Sequence, residues 1–337
     1  MSDDEIVAAL RRMGLVKPGE SVRMSPLTGG VSSDIHLIET GSRRFCVKRA
    51  LARLKVAAVW EAPLGRNAAE AAWMRLVGQW LPQAVPEILG EDAQLGLFAM
   101  SFLPPQDNPV WKAQLLAGRI DLAFAAAVGR DLGIIHARSA ANAGAPALFA
   151  HDATFEAIRI EPYLRATGRA HPGLAGRFAN LAATTLANKR ALVHGDVSPK
   201  NILCGTAGPV FLDAECAWFG DPAFDLAFCL NHFLLKGARA GVARDGYVEA
   251  FTAFTDAYRT KIDWEELAGL ERRAAALLPA LFLARVDGKS PVEYLTTEAE
   301  REAVRRFAVP LVASPPERLD TVAALWMRAP LVFGAGS

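Results

Sequence analysis

Asp196, Asn201 and Asp213 are the residues whose types and spacing carry the plainest chemistry in this chain. Asn201 follows Asp196 by five residues and Asp213 follows it by 17, within Leu192-Val193-His194-Gly195-Asp196-Val197-Ser198-Pro199-Lys200-Asn201-Ile202-Leu203 and then Val210-Phe211-Leu212-Asp213. Apolar residues flank a polar loop, so Asp196 and Asn201 are expected on a short turn between strand-like segments, with Asp213 at the end of the next strand. Oxygen-bearing side chains presented this way suit a hard cation such as Mg2+, which takes few protein ligands and completes its shell from phosphates and water. One of the three is left to orient or deprotonate a hydroxyl.

The elements that must position these groups follow from periodicity. Ser2 and Glu5 fit a capping box ahead of Ile6, Ala9, Leu10 and Met13, an amphipathic first helix. Val22 to Ala50 alternates like a hairpin region, with strands over 35–39 and 44–48 joined by Thr40-Gly41-Ser42. Arg66 to Trp80 places Ala69, Trp73, Leu76 and Trp80 at helical spacing, and 97–103 reads as a strand ending at Pro104-Pro105. Beyond that dipeptide the chain is alanine-rich and helical (121–136, 174–189), except for a β-rich island over 191–212, and helices resume from Phe224. The plan is α+β, with an N-terminal lobe over 1–103 and a larger, mainly helical C-terminal lobe over 104–337.

Composition narrows the function. With 337 residues, 52% of them hydrophobic, the chain exceeds the size at which one core usually stops growing. Its 37 basic and 36 acidic residues leave a formal charge of +1, which argues against a nucleic-acid binder or a polybasic membrane-surface protein. An anion must then be held by a local site. Cys46, Cys204, Cys216 and Cys229 form no CxxC pair, so reduced structural thiols are expected. The acidic N-terminus lacks the basic start of a signal peptide, and the apolar stretches carry charges, so a cytoplasmic protein with no membrane span is expected.

His194-Gly195-Asp196, with Asn201 and then Asp213, resembles the catalytic and metal loops of aminoglycoside phosphotransferases, which share the protein-kinase-like fold with choline kinases and other small-molecule kinases. Protein kinases carry Arg where Gly195 stands. Phe219-Gly220-Asp221-Pro222-Ala223-Phe224-Asp225 is similar to the same small-molecule branch, in which the last aspartate braces the catalytic loop. The resemblance implies a small β-rich nucleotide-binding lobe and an ATP- and Mg2+-dependent transfer of the γ-phosphoryl group to a hydroxyl of a small molecule: an amino alcohol, a sugar or an aminoglycoside-like compound. Asp196 would be the catalytic residue, and Asn201 and Asp213 would hold Mg2+.

That resemblance makes demands on the N-terminal third. Leu27-Thr28-Gly29-Gly30-Val31-Ser32 is similar to the family's Gly-Gly-x-Ser loop, so Gly29, Gly30 and Ser32 are candidates for covering the phosphates. Lys48 has the strand context of the phosphate-binding lysine, although Arg49 competes. Glu70 is its expected helix partner, with Glu61 the alternative. The segment 98–103, with Met100 and Phe102, would be the hinge whose backbone meets adenine. His136 and His194 are read as packed, hydrogen-bonded residues. Glu215, in Asp213-Ala214-Glu215, is either a supporting or metal-site acid or a solvated one.

Lys200 either neutralises the transferred phosphate or decorates its loop. Arg285 and Asp287, with Lys289, are candidates for the acceptor pocket, against the alternative of a surface charge cluster. Trp111, Trp218 and Phe219 are aromatic candidates, and Asp221 is an acidic one. Gly288-Lys289-Ser290 is no P-loop tail, because position 283 is Leu where that motif needs Gly. Two competing readings remain: a catalytically idle nucleotide-binding scaffold, which the presence of Lys48, Asp196, Asn201 and Asp213 opposes, and a protein kinase, which the seven residues between Asp213 and Asp221 oppose. The acceptor and the oligomeric state are not legible in the sequence.

Overall fold

The computed structural model describes residues 3–27, 33–50, 65–239 and 244–329. Helix α1 (Asp3–Arg12) has an acidic first turn and a basic last turn, matching the helix dipole. Strands β1 (Arg23–Pro26), β2 (Ser33–Glu39) and β3 (Arg44–Ala50), helix α2 (Arg66–Gly78), and strands β4 (Ile88–Asp92) and β5 (Leu97–Ser101) follow. The strands form one antiparallel sheet in the order β1-β2-β3-β5-β4. Two of them, β1 and β4, were not expected from the sequence. β1 is short and ends in Pro26, and β4 carries an irregularity between Ile88 and Gly90, so neither shows a clean two-residue period.

β3 is buried on both faces, and its alternation decides where Lys48 points. Phe45 and Val47 pack with Ile6, Ala9 and Leu10 of α1 on one side, while Cys46 joins Trp73, Met74 and Val77 of α2 on the other. Lys48 shares the Cys46 face, because successive side chains on a strand alternate. Its register partners are Ile35 on β2 and Phe98 on β5.

Past Pro104-Pro105 come α3 (Trp111–Leu116), α4 (Leu122–Ala140), α5 (Ala145–Leu148) and α6 (Asp152–Phe155). A wide π-helical segment, Glu156–Arg165 with Pro162 inside it, leads into α7 (Ala166–Ala170) and α8 (Ala175–Ala187). The β-island holds β6 (Ala191–Val193), β7 (Ile202–Gly205), β8 (Gly208–Phe211) and β9 (Trp218–Gly220), paired β6 with β9 and β7 with β8. Helices α9 (Pro222–Arg239), α10 (Arg244–Arg259), α11 (Leu267–Asp287), α12 (Glu298–Ala313) and α13 (Leu319–Arg328) complete the chain. No described helix is long and apolar enough to cross a membrane.

Two contacts bind this scaffold. α4 packs on α10 so closely that a Cβ on Gly129 would lie 2.2 Å from the Phe254 carbonyl oxygen. The main apolar core runs across the Pro104-Pro105 link: Trp73 of α2 meets His194 edge-on at 5.0 Å and Phe211 at 6.3 Å. Burial of one indole against His194 and Phe211 thereby fixes α2, and with it Glu70, relative to the loop that carries Asp196.

Candidate active site

Lys48 sits between two carboxylates. Its Nζ lies 2.6 Å from Glu70 Oε2 and 2.6 Å from Asp213 Oδ1. Glu70 extends the cluster, since its Oε1 accepts a hydrogen bond from the Asp213 main-chain N–H at 3.1 Å. Asn67, one helical turn before Glu70, donates from Nδ2 to the carbonyls of Lys48 and Gly96, tying α2 to β3. Burial alone would discharge Lys48, but Asp213 and Glu70 outweigh it and hold the ammonium well above its ordinary pKa. The same burial raises Glu70 to about 7 against the pull of Lys48. Of the two acids named for this lysine, the structure places Glu70 on it; Glu61 lies outside the described residues, as do Gly29, Gly30 and Ser32.

Asp213 is the one non-glycine residue with positive φ among the described residues, at 65°. A left-handed aspartate is a local cost that surrounding contacts must hold in place. Here the hydrogen bond to Glu70 and the ion pair to Lys48 do so, and they aim the carboxylate back at the sheet. Burial opposes ionisation of Asp213, yet Lys48 and Lys200 hold it well below the usual carboxylate range.

The catalytic-loop candidate turns on Gly195, whose φ is +77° and where a Cβ would lie 2.7 Å from Cys216 Cβ and 2.9 Å from the Cys216 carbonyl oxygen. Both the conformation and the space require glycine. Asp225, fully buried on α9, accepts the main-chain N–H groups of His194 at 2.7 Å and Gly195 at 2.8 Å. His136 Nε2 lies 3.3 Å from the same carboxylate, and its Nδ1 is 2.7 Å from the Tyr258 hydroxyl. His194 closes the loop from inside: its Nδ1 accepts the Asp196 N–H at 3.2 Å and its Nε2 donates to the Leu212 carbonyl at 3.1 Å. That pattern requires a neutral ring, and burial lowers its pKa accordingly.

Asp196 Oδ2 is held by Arg159 Nη2 at 3.0 Å and Lys200 Nζ at 3.2 Å. Burial works against the carboxylate, but Lys200 and Arg159 prevail and keep its pKa low. Arg159 also donates to the Gly195 and Ile158 carbonyls. Asn201 spends its Nδ2 on the Asp196 carbonyl at 3.1 Å, which leaves its amide oxygen for a ligand. Asn201 and Asp213 together offer oxygen donors only, a set that fits Mg2+.

Arg159 belongs to no motif in the sequence, although one charge inside Ala157-Ile158-Arg159-Ile160 is a signal of a buried ion pair. In the sequence Arg66 marks only a helix start. It is buried in the first turn of α2, where the helix dipole disfavours a cation, and its Nη1 meets Glu215 Oε2 at 2.6 Å. Glu215 is therefore paired across the link rather than solvated, and burial, with Asp213 nearby, raises its pKa.

Beside Asp196 opens a pocket of about 180 Å3, lined among others by Tyr163, Lys200, His232, Lys236, Arg285 and Tyr294. Arg285 and Lys200 thus reach it, while Asp287 does not: its carboxylate is bound by Arg305 and by His171 Nε2 at 2.8 Å. Lys289 pairs instead with Glu161 at 3.1 Å. The other acceptor candidates are also occupied elsewhere. Trp111 is packed against Phe124 and Phe233, Trp218 stacks on Phe155, Phe219 lies on β9, and Asp221 is bound by Arg273. Of the hinge candidates, Met100 is flanked by Cys46 of β3 and Ile88 of β4, so its peptide groups face neighbouring strands; Phe102 follows the strand end.

A five-stranded antiparallel sheet carrying a lysine–glutamate pair, joined to a helical lobe with a short catalytic-type loop, defines the protein-kinase-like fold. The chain belongs to the phosphotransferase enzyme family, whose model matches residues 23–270. A spectinomycin phosphotransferase solved with ADP and spectinomycin covers 98% of this chain and 99% of its own, at 11% identity and TM-score 0.54. An amicoumacin kinase solved with AMP-PNP and Ca2+ gives TM-score 0.58 at 13% identity, over 94% of this chain and 96% of that one. In sequence, methylthioribose kinase of Yersinia enterocolitica is 24% identical over 222 residues, 58% of this chain and 55% of that protein. The chain thus spans little more than half the length of that curated relative.

Proposed function

We propose that this protein is an ATP- and Mg2+-dependent kinase that phosphorylates a hydroxyl of a small molecule. The observation that carries the proposal is the convergence of Lys48, Glu70 and Asp213 into one buried cluster beside an ionised Asp196 that borders a pocket. A lysine between two carboxylates is poised to exchange the Asp213 contact for nucleotide phosphate oxygens while Glu70 keeps it in place. A divalent cation on Asn201 and Asp213 would screen the phosphate charge.

Asp196 then has a narrow task. Its Oδ2 is fixed by Arg159 and Lys200, so Oδ1 accepts the acceptor's O–H and aligns the hydroxyl oxygen for attack. The oxygen–phosphorus bond forms as the bond to the ADP oxygen breaks, and the hydroxyl proton passes to Asp196 and on to solvent. A carboxylate with a lowered pKa is a weak base, which suits a loose transition state in which the proton leaves late. Lys200, at the mouth of the pocket, meets the charge of the transferred group.

The test is ADP release from ATP and Mg2+ across a panel of small alcohols, with mass detection of the phosphorylated product. Asp196→Ala should lower kcat by about 10²- to 10⁴-fold and leave AMP-PNP affinity within about threefold. Wild-type turnover in Asp196→Ala would refute the assignment.

A further inference from the structure

The pocket beside Asp196 is unusual in its charge. Lys236 of α9 is buried to 3% exposure, yet no carboxylate lies within ion-pair distance of it among the described residues. Its neighbours are His232 Nδ1 at 3.5 Å and the face of Tyr294 at 4.8 Å. Arg285, entering from α11, gives Nη1 to the Tyr163 hydroxyl at 3.2 Å and to Ser290 Oγ at 3.1 Å, both neutral, while its buried Nε has no partner. The two carboxylates in the lining are already committed, Asp196 to Arg159 and Lys200, and Glu293 to Lys112. A buried ammonium and a guanidinium that converge on one pocket, with neither in ion-pair contact with a carboxylate there, cost stability. The strain shows in Lys236, which burial, then Arg285 and Lys112, push down to about 7 against a weaker upward pull from Glu293.

We propose that Lys236 and Arg285 form an anion subsite of the acceptor pocket, so that the acceptor carries a carboxylate or phosphate group as well as the hydroxyl presented to Asp196. This rests on the kinase reading above for the hydroxyl but on the pocket's own charge for the anion. A cationic acceptor would place its charge against Lys236 and Arg285, which the same geometry disfavours. The volume, below that of pockets for drug-sized ligands, fits a compact metabolite. An alternative use for the cations, holding the γ-phosphate of the nucleotide, is separable by experiment.

Four classes of small alcohol of matched size serve as probes: hydroxy acids, sugar phosphates, neutral polyols and amino alcohols. Binding is measured calorimetrically without nucleotide, and ADP release is measured with ATP and Mg2+. The expected result is that one of the two anionic classes binds, that which one binds tells carboxylate from phosphate, and that Lys236→Met and Arg285→Gln each weaken this binding at least tenfold. Lys236→Met should also raise Tm, since it removes an unpaired buried charge, so loss of binding in it is not loss of fold. Anions that bind and lose affinity in the variants with no ADP release from any class would support the subsite and refute the kinase reading. Turnover of polyols or amino alcohols with no binding of either anion would overturn the inference and leave the kinase reading standing. Unchanged anion affinity in both variants, or a raised KM for ATP in place of the acceptor, would also overturn it.

Discussion

Asp225 offers the sharpest test of how the catalytic loop is held, because it touches neither the lysine cluster nor the pocket. Its carboxylate receives two buried main-chain N–H groups, from His194 and Gly195, and faces His136 Nε2. A hydrogen bond to a charged group contributes about 1.5–3 kcal/mol, so the two main-chain bonds together contribute about 3–6 kcal/mol. That is a large share of the roughly 5–15 kcal/mol that stabilises a typical domain. Asp225→Ala should therefore lower unfolding stability by an amount of that order, read from urea melts. Asp225→Asn keeps the volume and one acceptor oxygen but turns an NH2 toward a main-chain N–H, so about half of the loss is expected. Gly195 adjoins Asp196, and a displacement of Asp196 by about 1 Å should cost on the order of 100-fold in kcat, with the KM for ATP nearly unchanged because Lys48 and Glu70 are held elsewhere. Wild-type kcat and stability in Asp225→Asn would refute the bracing argument.

Two further outcomes follow from packing and burial. Gly129→Ala places a methyl 2.2 Å from the Phe254 carbonyl oxygen and must push α4 from α10, which should destabilise by about 1–3 kcal/mol or more; an unchanged urea midpoint would show that the helices part freely. His194 and His232 are both held below the ordinary histidine pKa by burial, His232 also by Lys236 and Arg285. The unfolded chain protonates both near pH ~6.5 while the folded chain resists, so the two histidines lower stability below that value by up to about 2.7 kcal/mol per pH unit, and Glu70, raised to about 7, takes up a proton in the folded chain and offsets up to about half of that slope. Urea midpoints between about pH 7.5 and about pH 5.5 measure this slope. His232→Gln should make the slope shallower than in the wild type by up to about 1.4 kcal/mol per pH unit, and the same pH dependence in the two proteins would contradict the assignment.

Much of the fold and the loop's placement was legible because it is local. The hairpin joining β2 and β3, helix α2 and the Asp196-to-Asp213 spacing each follow from neighbouring residues, and Asp225 stands at a fixed distance along the chain. Charge pairing across the molecule was not legible. Arg66 and Glu215 are 149 positions apart, and Arg159 reaches Asp196 from a π-helical turn whose width around Pro162 no apolar period announces. Asp287 illustrates the opposite error. It lies two residues from Arg285, but a helix turns successive side chains about 100° apart per residue, so Arg285 enters the pocket while Asp287 faces His171 and Arg305.

The near-neutral composition takes on a different meaning at this scale. A net charge of +1 argues against a basic surface, yet the fold buries individual cations in two different ways. Lys48 and Lys236 show the two regimes side by side. Lys48 is buried with two carboxylates and stays charged, so it can exchange one anion for another without a change of protonation. Lys236 is buried with none in ion-pair contact, Glu293 nearby being bound to Lys112, so an anion entering its pocket supplies the direct counter-charge it lacks. Discrimination between ligands follows from that difference: an alcohol without an anionic group leaves Lys236 and Arg285 as unmatched as before, and gains nothing from them.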